Sequence, residues 1–143
     1  MKCQTIVDAE REEEVVIYVR EKSTVSDRIE AFVKEISCEL IGYNENTAVN
    51  LELDDVFCFT VEDGKVYALT ESEKYRLKQR LYLLEEMLDV SFVKINQSCI
   101  ANIRKIKKFD ASFSGTLTVV FKNGYRDYVS RRQLKKVKER IGL

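Results

Sequence analysis

The chain has 143 residues, of which 45% are hydrophobic and 34% charged, with no Pro, no Trp and no His, and its 24 basic side chains balance 24 acidic ones. That length can bury one ordinary core without metals or disulfides, and the frequency of Leu, Ile, Val and Phe excludes disorder. The absence of His, with Cys3, Cys38, Cys58 and Cys99 far apart and no CxxC pair, argues against a zinc site or a Cys–His nucleophile.

The four thiols are expected to be reduced and mostly buried in a cytoplasmic protein. No signal peptide is expected, since Met1 to Ile6 is followed by Asp8 and a run of Glu, and no apolar stretch approaches the ~20 residues of a membrane helix. The neutral total hides an asymmetry: Met1 to Asp63 carries a net charge of −10 and Gly64 to Leu143 a net charge of +10. From Ser91 onward there are 13 basic and only 3 acidic residues. Such a distribution is the footprint of a polyanion ligand, and solvated surface faces are the competing explanation.

Thr5 to Val7 and Val15 to Val19 are β-branched and apolar, separated by the acidic turn Asp8 to Glu14, and predict two short strands. Thr24, with Asp27 three positions on, heads the helical spacing Val25, Ile29, Phe32, Val33, Ile36, Leu40. Gly42 to Asn46 interrupts every period and is read as a boundary between a segment 1–44 and a domain 45–143. Ala48 to Leu53 and Val56 to Val61 read as strands joined by Asp54-Asp55, and Asp63-Gly64 turns the chain into a strand Lys65 to Leu69. Thr70 to Leu88 is ambiguous between strand alternation and the helical spacing Leu77, Leu81, Leu84, Leu88. Ser98 to Phe109 reads as a turn into a strand with Ile100, Ile103 and Ile106 inward and Arg104, Lys105, Lys107 and Lys108 on the surface. Thr116 to Phe121, Asn123-Gly124 and Tyr125 to Val129 form a hairpin, with both turn residues expected at positive φ. Ser130 and Gln133 have capping-box spacing, which places Arg131 and Arg132 in the first turn of a helix through Leu134, Val137 and Ile141. Two arginines at a helix N-terminus are suited to an anion, DNA phosphate included.

No glycine-rich phosphate loop occurs, and Glu12-Glu13-Glu14 and Asp54-Asp55 lie in turn-like sequence, so no enzyme and no cofactor is expected. The remaining classes are a DNA-binding module, an RNA-binding domain, and an interaction module whose basic half docks on an acidic partner. Single-strand RNA readers display aromatic platforms, whereas the Phe and Tyr residues here alternate into core positions.

The run Val93, Lys94, Asn96, Ser98, Ala101, Asn102, together with Phe121-Lys122-Asn123-Gly124 and Val129-Ser130-Arg131-Arg132, resembles the LytTR DNA-binding domain of bacterial transcription regulators. The likeness covers about residues 45 to 143. It departs at Asn96, where the family often has His, and at Gln97, where Arg or Asn is common. The resemblance implies an α+β, mostly β domain of strands and hairpins with short helices, preceded here by a small strand-strand-helix segment. It also favours a strand to about Lys78 and a helix from Leu81 to Leu88. By position it makes Lys65, Gln97 and Arg132 base-reading candidates, and Lys94, Asn96, Ser98, Ser130 and Arg131 phosphate or positioning candidates. Lys65 reads equally as a solvated turn lysine. The implied function is sequence-specific binding of duplex DNA in transcription regulation. A phosphorylated receiver domain would need roughly 120 residues, more than precede the domain, so none is expected. Short family members are often paired with a small inhibitory membrane protein, which the resemblance implies as a partner. Paired DNA sites and the apolar stripe of the first segment point to a homodimer.

Overall fold

A computed structural model describes residues 1–11, 14–37, 39–112 and 114–142, with the backbone alone for 35–37. The Glu12-Glu13 part of the acidic turn, Cys38 and the Ile36 side chain therefore lie outside the described residues. The chain divides into two compact units, Met1–Ile36 and Ser37–Leu143.

Helix α1 spans Thr24–Ser37 and belongs, but for its last residue, to the first unit. Its start is one residue earlier than the spacing of Thr24 and Asp27 implies. Ser23 and Ser26 cap it reciprocally, Ser26 Oγ accepting from Ser23 N–H at 3.0 Å and Ser23 Oγ accepting from Ser26 N–H at 3.4 Å. The two strands expected at Thr5–Val7 and Val15–Val19 are not formed, since neither stretch has a ladder partner. Leu40 is not the last helical position but a buried strand residue of the second unit, 2% exposed.

Among its described residues the second unit holds ten strands, in chain order β1 Leu40–Asn44, β2 Thr47–Leu51, β3 Cys58–Glu62, β4 Lys65–Leu69, β5 Lys74–Leu77, β6 Phe92–Asn96, β7 Cys99–Asn102, β8 Ile106–Ala111, β9 Leu117–Phe121 and β10 Arg126–Val129. Helix α2, Leu81–Met87, follows β5, and α3, Leu134–Ile141, follows β10. A seven-stranded sheet has the order β2-β1-β5-β4-β3-β7-β6, and a three-stranded sheet has the order β10-β9-β8. The described pairings are antiparallel, as short hairpin connections require.

The supposed boundary at Gly42–Asn46 is a hairpin inside the large sheet, in which Asn44 pairs Thr47 and Glu45 turns the chain at φ 46°. Glycine is required at 42 for a different reason: a Cβ there would lie 2.6 Å from Tyr75 Cβ and 2.8 Å from Leu51 Cδ1. Gly42→Ala is accordingly expected to lower stability by about 1–3 kcal/mol, read as a lower urea midpoint at unchanged slope.

Two apolar clusters lie on opposite faces of β3, β6 and β7. Cys58, Val93, Ile95, Cys99 and Ala101 pack with Leu117, Val119, Phe121, Val129 and Val137. Phe59, Phe92 and Ile100 pack with Leu40, Val66, Leu77, Leu81 and Leu84. These three strands are covered on both faces, which is why their sequences run largely apolar without clean alternation. Helix α2 thus covers one face, as its leucine spacing requires, while the small sheet and α3 cover the other. Cys58 and Cys99 are buried and free, as expected of most of the cysteines, whereas Cys3 is exposed. A hydrogen bond with Cys58 and burial push the Cys99 thiol well above its ordinary range, as for a structural rather than a reactive cysteine.

Candidate nucleic-acid interface

Three turns separated in sequence meet at one end of the large sheet. The first joins β3 to β4: Asp63 at φ 50° and Gly64 at φ 73° make a two-residue reversal between Glu62 and Lys65, which pair. The second is Gln97-Ser98, between the paired residues Asn96 and Cys99. The third is Ser130 to Gln133, closed by the Ser130 carbonyl accepting from Gln133 N–H at 3.0 Å.

Main-chain bonds fix their mutual placement. Val61 N–H donates to the Ser98 carbonyl at 2.9 Å, so the β3–β4 hairpin projects just past the second turn. In the β6–β7 ladder the register shifts between Lys94 and Asn96, leaving Ile95 without a partner on β7. Its carbonyl instead accepts from Ser130 N–H at 2.9 Å, drawing the third turn against the second.

Asn96 lies between these two bonds. It is 1% exposed, and its side chain is fully committed. Nδ2 donates to Asp127 Oδ1 at 3.0 Å and to the Tyr128 carbonyl at 2.8 Å, and Oδ1 accepts from Ser98 N–H at 2.8 Å. Asp127 also accepts from Tyr125 Oη at 3.2 Å and from Tyr128 N–H at 2.8 Å. Burial raises the Tyr125 phenol above its ordinary range, which keeps this donor protonated. Asp127 was not anticipated as a site residue. Its signal is that a strand residue in so basic a region is one of only 3 acidic residues from Ser91 onward.

The other candidates divide by what surrounds them. Lys65, Gln97, Ser98, Arg131 and Arg132 are exposed. Among the described residues, the side chains of Lys65, Gln97, Arg131 and Arg132 have no hydrogen-bond or ion-pair partner. Ser130 is half-buried and held through its main chain. Lys94 is half-buried with its ammonium 3.5 Å from Glu85 of α2.

The expected capping box is not formed. Gln133 caps α3 in helical geometry without a side-chain hydrogen bond, so Arg131 and Arg132 lie in the turn ahead of the helix. At the start of α3 the Val137 amide donates to the Gln133 carbonyl at 2.9 Å. Arg140 anchors the far end of α3, donating to the Val90 carbonyl at 3.0 Å and the Phe92 carbonyl at 3.3 Å.

The hairpin before this turn also differs in detail. Only Gly124, at φ 88°, takes the left-handed conformation, while Phe121 accepts from Gly124 N–H and donates to the Tyr125 carbonyl, both at 2.9 Å. This is a type I turn with a glycine bulge in place of two positive-φ residues. Asn123 is thereby released to bond outward, its Nδ2 donating to the Thr70 carbonyl at 3.0 Å.

A mostly antiparallel domain that gathers exposed basic and amide side chains on adjoining turns has the chemistry to meet an anion. Residues 46–142 match the model of the LytTr DNA-binding domain, and the chain belongs to that family. The family is one of DNA-binding domains and not of enzymes. Two relatives from Staphylococcus aureus, strains MSSA476 and MW2, bear the name uncharacterized HTH-type transcriptional regulator, and each is 30% identical over 148 residues. The match covers 100% of this chain and 99% of each relative. A solved LytTr DNA-binding domain from Bacillus cereus superposes with a TM-score of 0.69 at 21% identity, covering 73% of this chain and 98% of that one. The mostly β domain fold expected from the resemblance is therefore found, without the two strands expected ahead of it. Among the described residues, no helix is long and apolar enough to cross a membrane.

Proposed function

We propose that the domain regulates transcription by reading duplex DNA with the three adjoining turns. Lys65, Gln97 and Arg132 approach base edges, while Ser98, Ser130 and Arg131 meet phosphates. Gln can pair bidentately with adenine, and Arg with guanine O6 and N7. Asn96 acts as a positioning residue, because its amide is already saturated within the protein. Lys94 reaches phosphate only by exchanging Glu85, and a pair this accessible to solvent is worth about 1 kcal/mol. The observation that carries the reading is the pair of main-chain bonds, Val61 to Ser98 and Ser130 to Ile95, which hold the candidates from three distant stretches side by side.

The test is the salt dependence of binding to a duplex selected from a random pool. Affinity should fall roughly thousandfold between about 50 and 200 mM salt, with a log–log slope of several units, because phosphate contacts release counterions. Single-stranded RNA and an acidic polypeptide serve as competitors. A flat salt response, or equal competition by either of them, would sink the DNA reading.

A further inference from the structure

The first unit contains no buried apolar side chain among its described residues; its one buried residue is Ser26, 2% exposed. A 36-residue segment of this composition cannot form an independent core. It nevertheless exposes Val15 at 61%, Val16 at 56%, Tyr18 at 93% and Phe32 at 61%. Two features there are unfilled. The stretch Glu14 to Arg20, EVVIYVR, has strong strand-forming chemistry but no ladder. The helix α1 has a shallow apolar depression lined by Val25, Arg28, Ile29, Ala31 and Phe32, which share one face at helical spacing.

The stretch is complementary to itself. Laid antiparallel on a second copy and centred on Ile17, it sets Ile17 against Ile17, Val16 against Tyr18, Val15 against Val19, and Glu14 against Arg20 at both ends. Aromatic with β-branched and acid with base are favourable cross-strand pairs. A shift by one residue turns the apolar face of one strand over relative to the other. In the centred register Val15, Ile17 and Val19 fall on one face, so two copies present six apolar side chains together. A two-stranded ribbon with such a face needs a second layer, and the Val25, Ile29 and Phe32 faces of two α1 helices supply one.

We propose that residues 14–20 of two chains pair as this symmetric antiparallel ribbon over their α1 helices, making the first unit a dimerisation element whose occupant is a second copy of the chain. The charge pattern makes that occupant testable. Arg20→Glu leaves each strand acidic at both ends, and Glu14→Arg leaves it basic at both ends, so each variant alone meets like charges in the ribbon. By sedimentation velocity of the full-length protein without DNA, each should dimerise at least roughly tenfold more weakly than the parent. An equimolar mixture of the two should regain dimers that native mass spectrometry identifies as containing one of each, and the double variant Glu14→Arg/Arg20→Glu should dimerise like the parent. Circular dichroism of every variant checks that the second unit stays folded. A parent chain that is monomeric at high micromolar concentration, single variants that dimerise normally, or a mixture that fails to pair would each overturn the proposal. None of these readouts uses DNA, so their failure leaves the DNA reading standing.

Discussion

Replacing Asn96 by Ala is expected to cost about 1–3 kcal/mol of stability, because it empties a buried position and takes a hydrogen bond from three partners at once. The Tyr128 carbonyl, the Ser98 amide and one oxygen of Asp127 each lose a hydrogen bond of 2.8–3.0 Å. The same truncation unties the second turn from the third. DNA affinity should therefore fall by more than the loss of one phosphate contact, even where the variant is fully folded. Asn96→Asp should be worse, since it places a second carboxylate where Nδ2 now donates to Asp127. Urea denaturation gives the first quantity and fluorescence anisotropy with a selected duplex the second. An Asn96→Ala protein of parental stability would remove the positioning role, and one that loses affinity with a reduced salt slope would return Asn96 to the phosphate contacts.

Arg132→Ala and Arg131→Ala should separate base reading from phosphate contact. If Arg132 makes a bidentate pair with guanine, its loss costs about 1–3 kcal/mol on the selected duplex and much less on random DNA. Arg131→Ala should weaken both by similar factors and lower the salt slope by about one unit. Both side chains are exposed and without partners among the described residues, so neither truncation should shift the urea midpoint. Stability thus serves as an internal control that the Asn96 variants lack. Equal losses on the two DNAs for Arg132→Ala would take away its assigned role.

Much of this domain was legible in the order of its residues because the relevant forces are local. Asp63-Gly64 permits positive φ at both positions and so specifies the hairpin that carries Lys65. Leu81 and Leu84, at helical spacing, marked the buried stripe of α2. The concentration of basic residues after Ser91 marked the region of the candidate interface before any contact was known. What remained illegible depends on partners far along the chain. Asn96 bonds residues 31 and 32 positions away, and Asn123 bonds one 53 positions away, so nothing adjacent to either reveals that its amide is spent. Helical spacing extended to Leu40, yet the pairing of Leu40 with Leu51 and a place in the core drew it into a strand. The opposite failure occurred at Val15–Val19, where strand-forming residues found no neighbour to complete a ladder. Turn geometry, periodicity and charge belong to short windows of sequence and determined the hairpins, the helices and the basic region. Only tertiary structure decided which edges pair and which polar groups are consumed inside the protein, because a hydrogen bond has no preference until its partner is brought within about 3 Å.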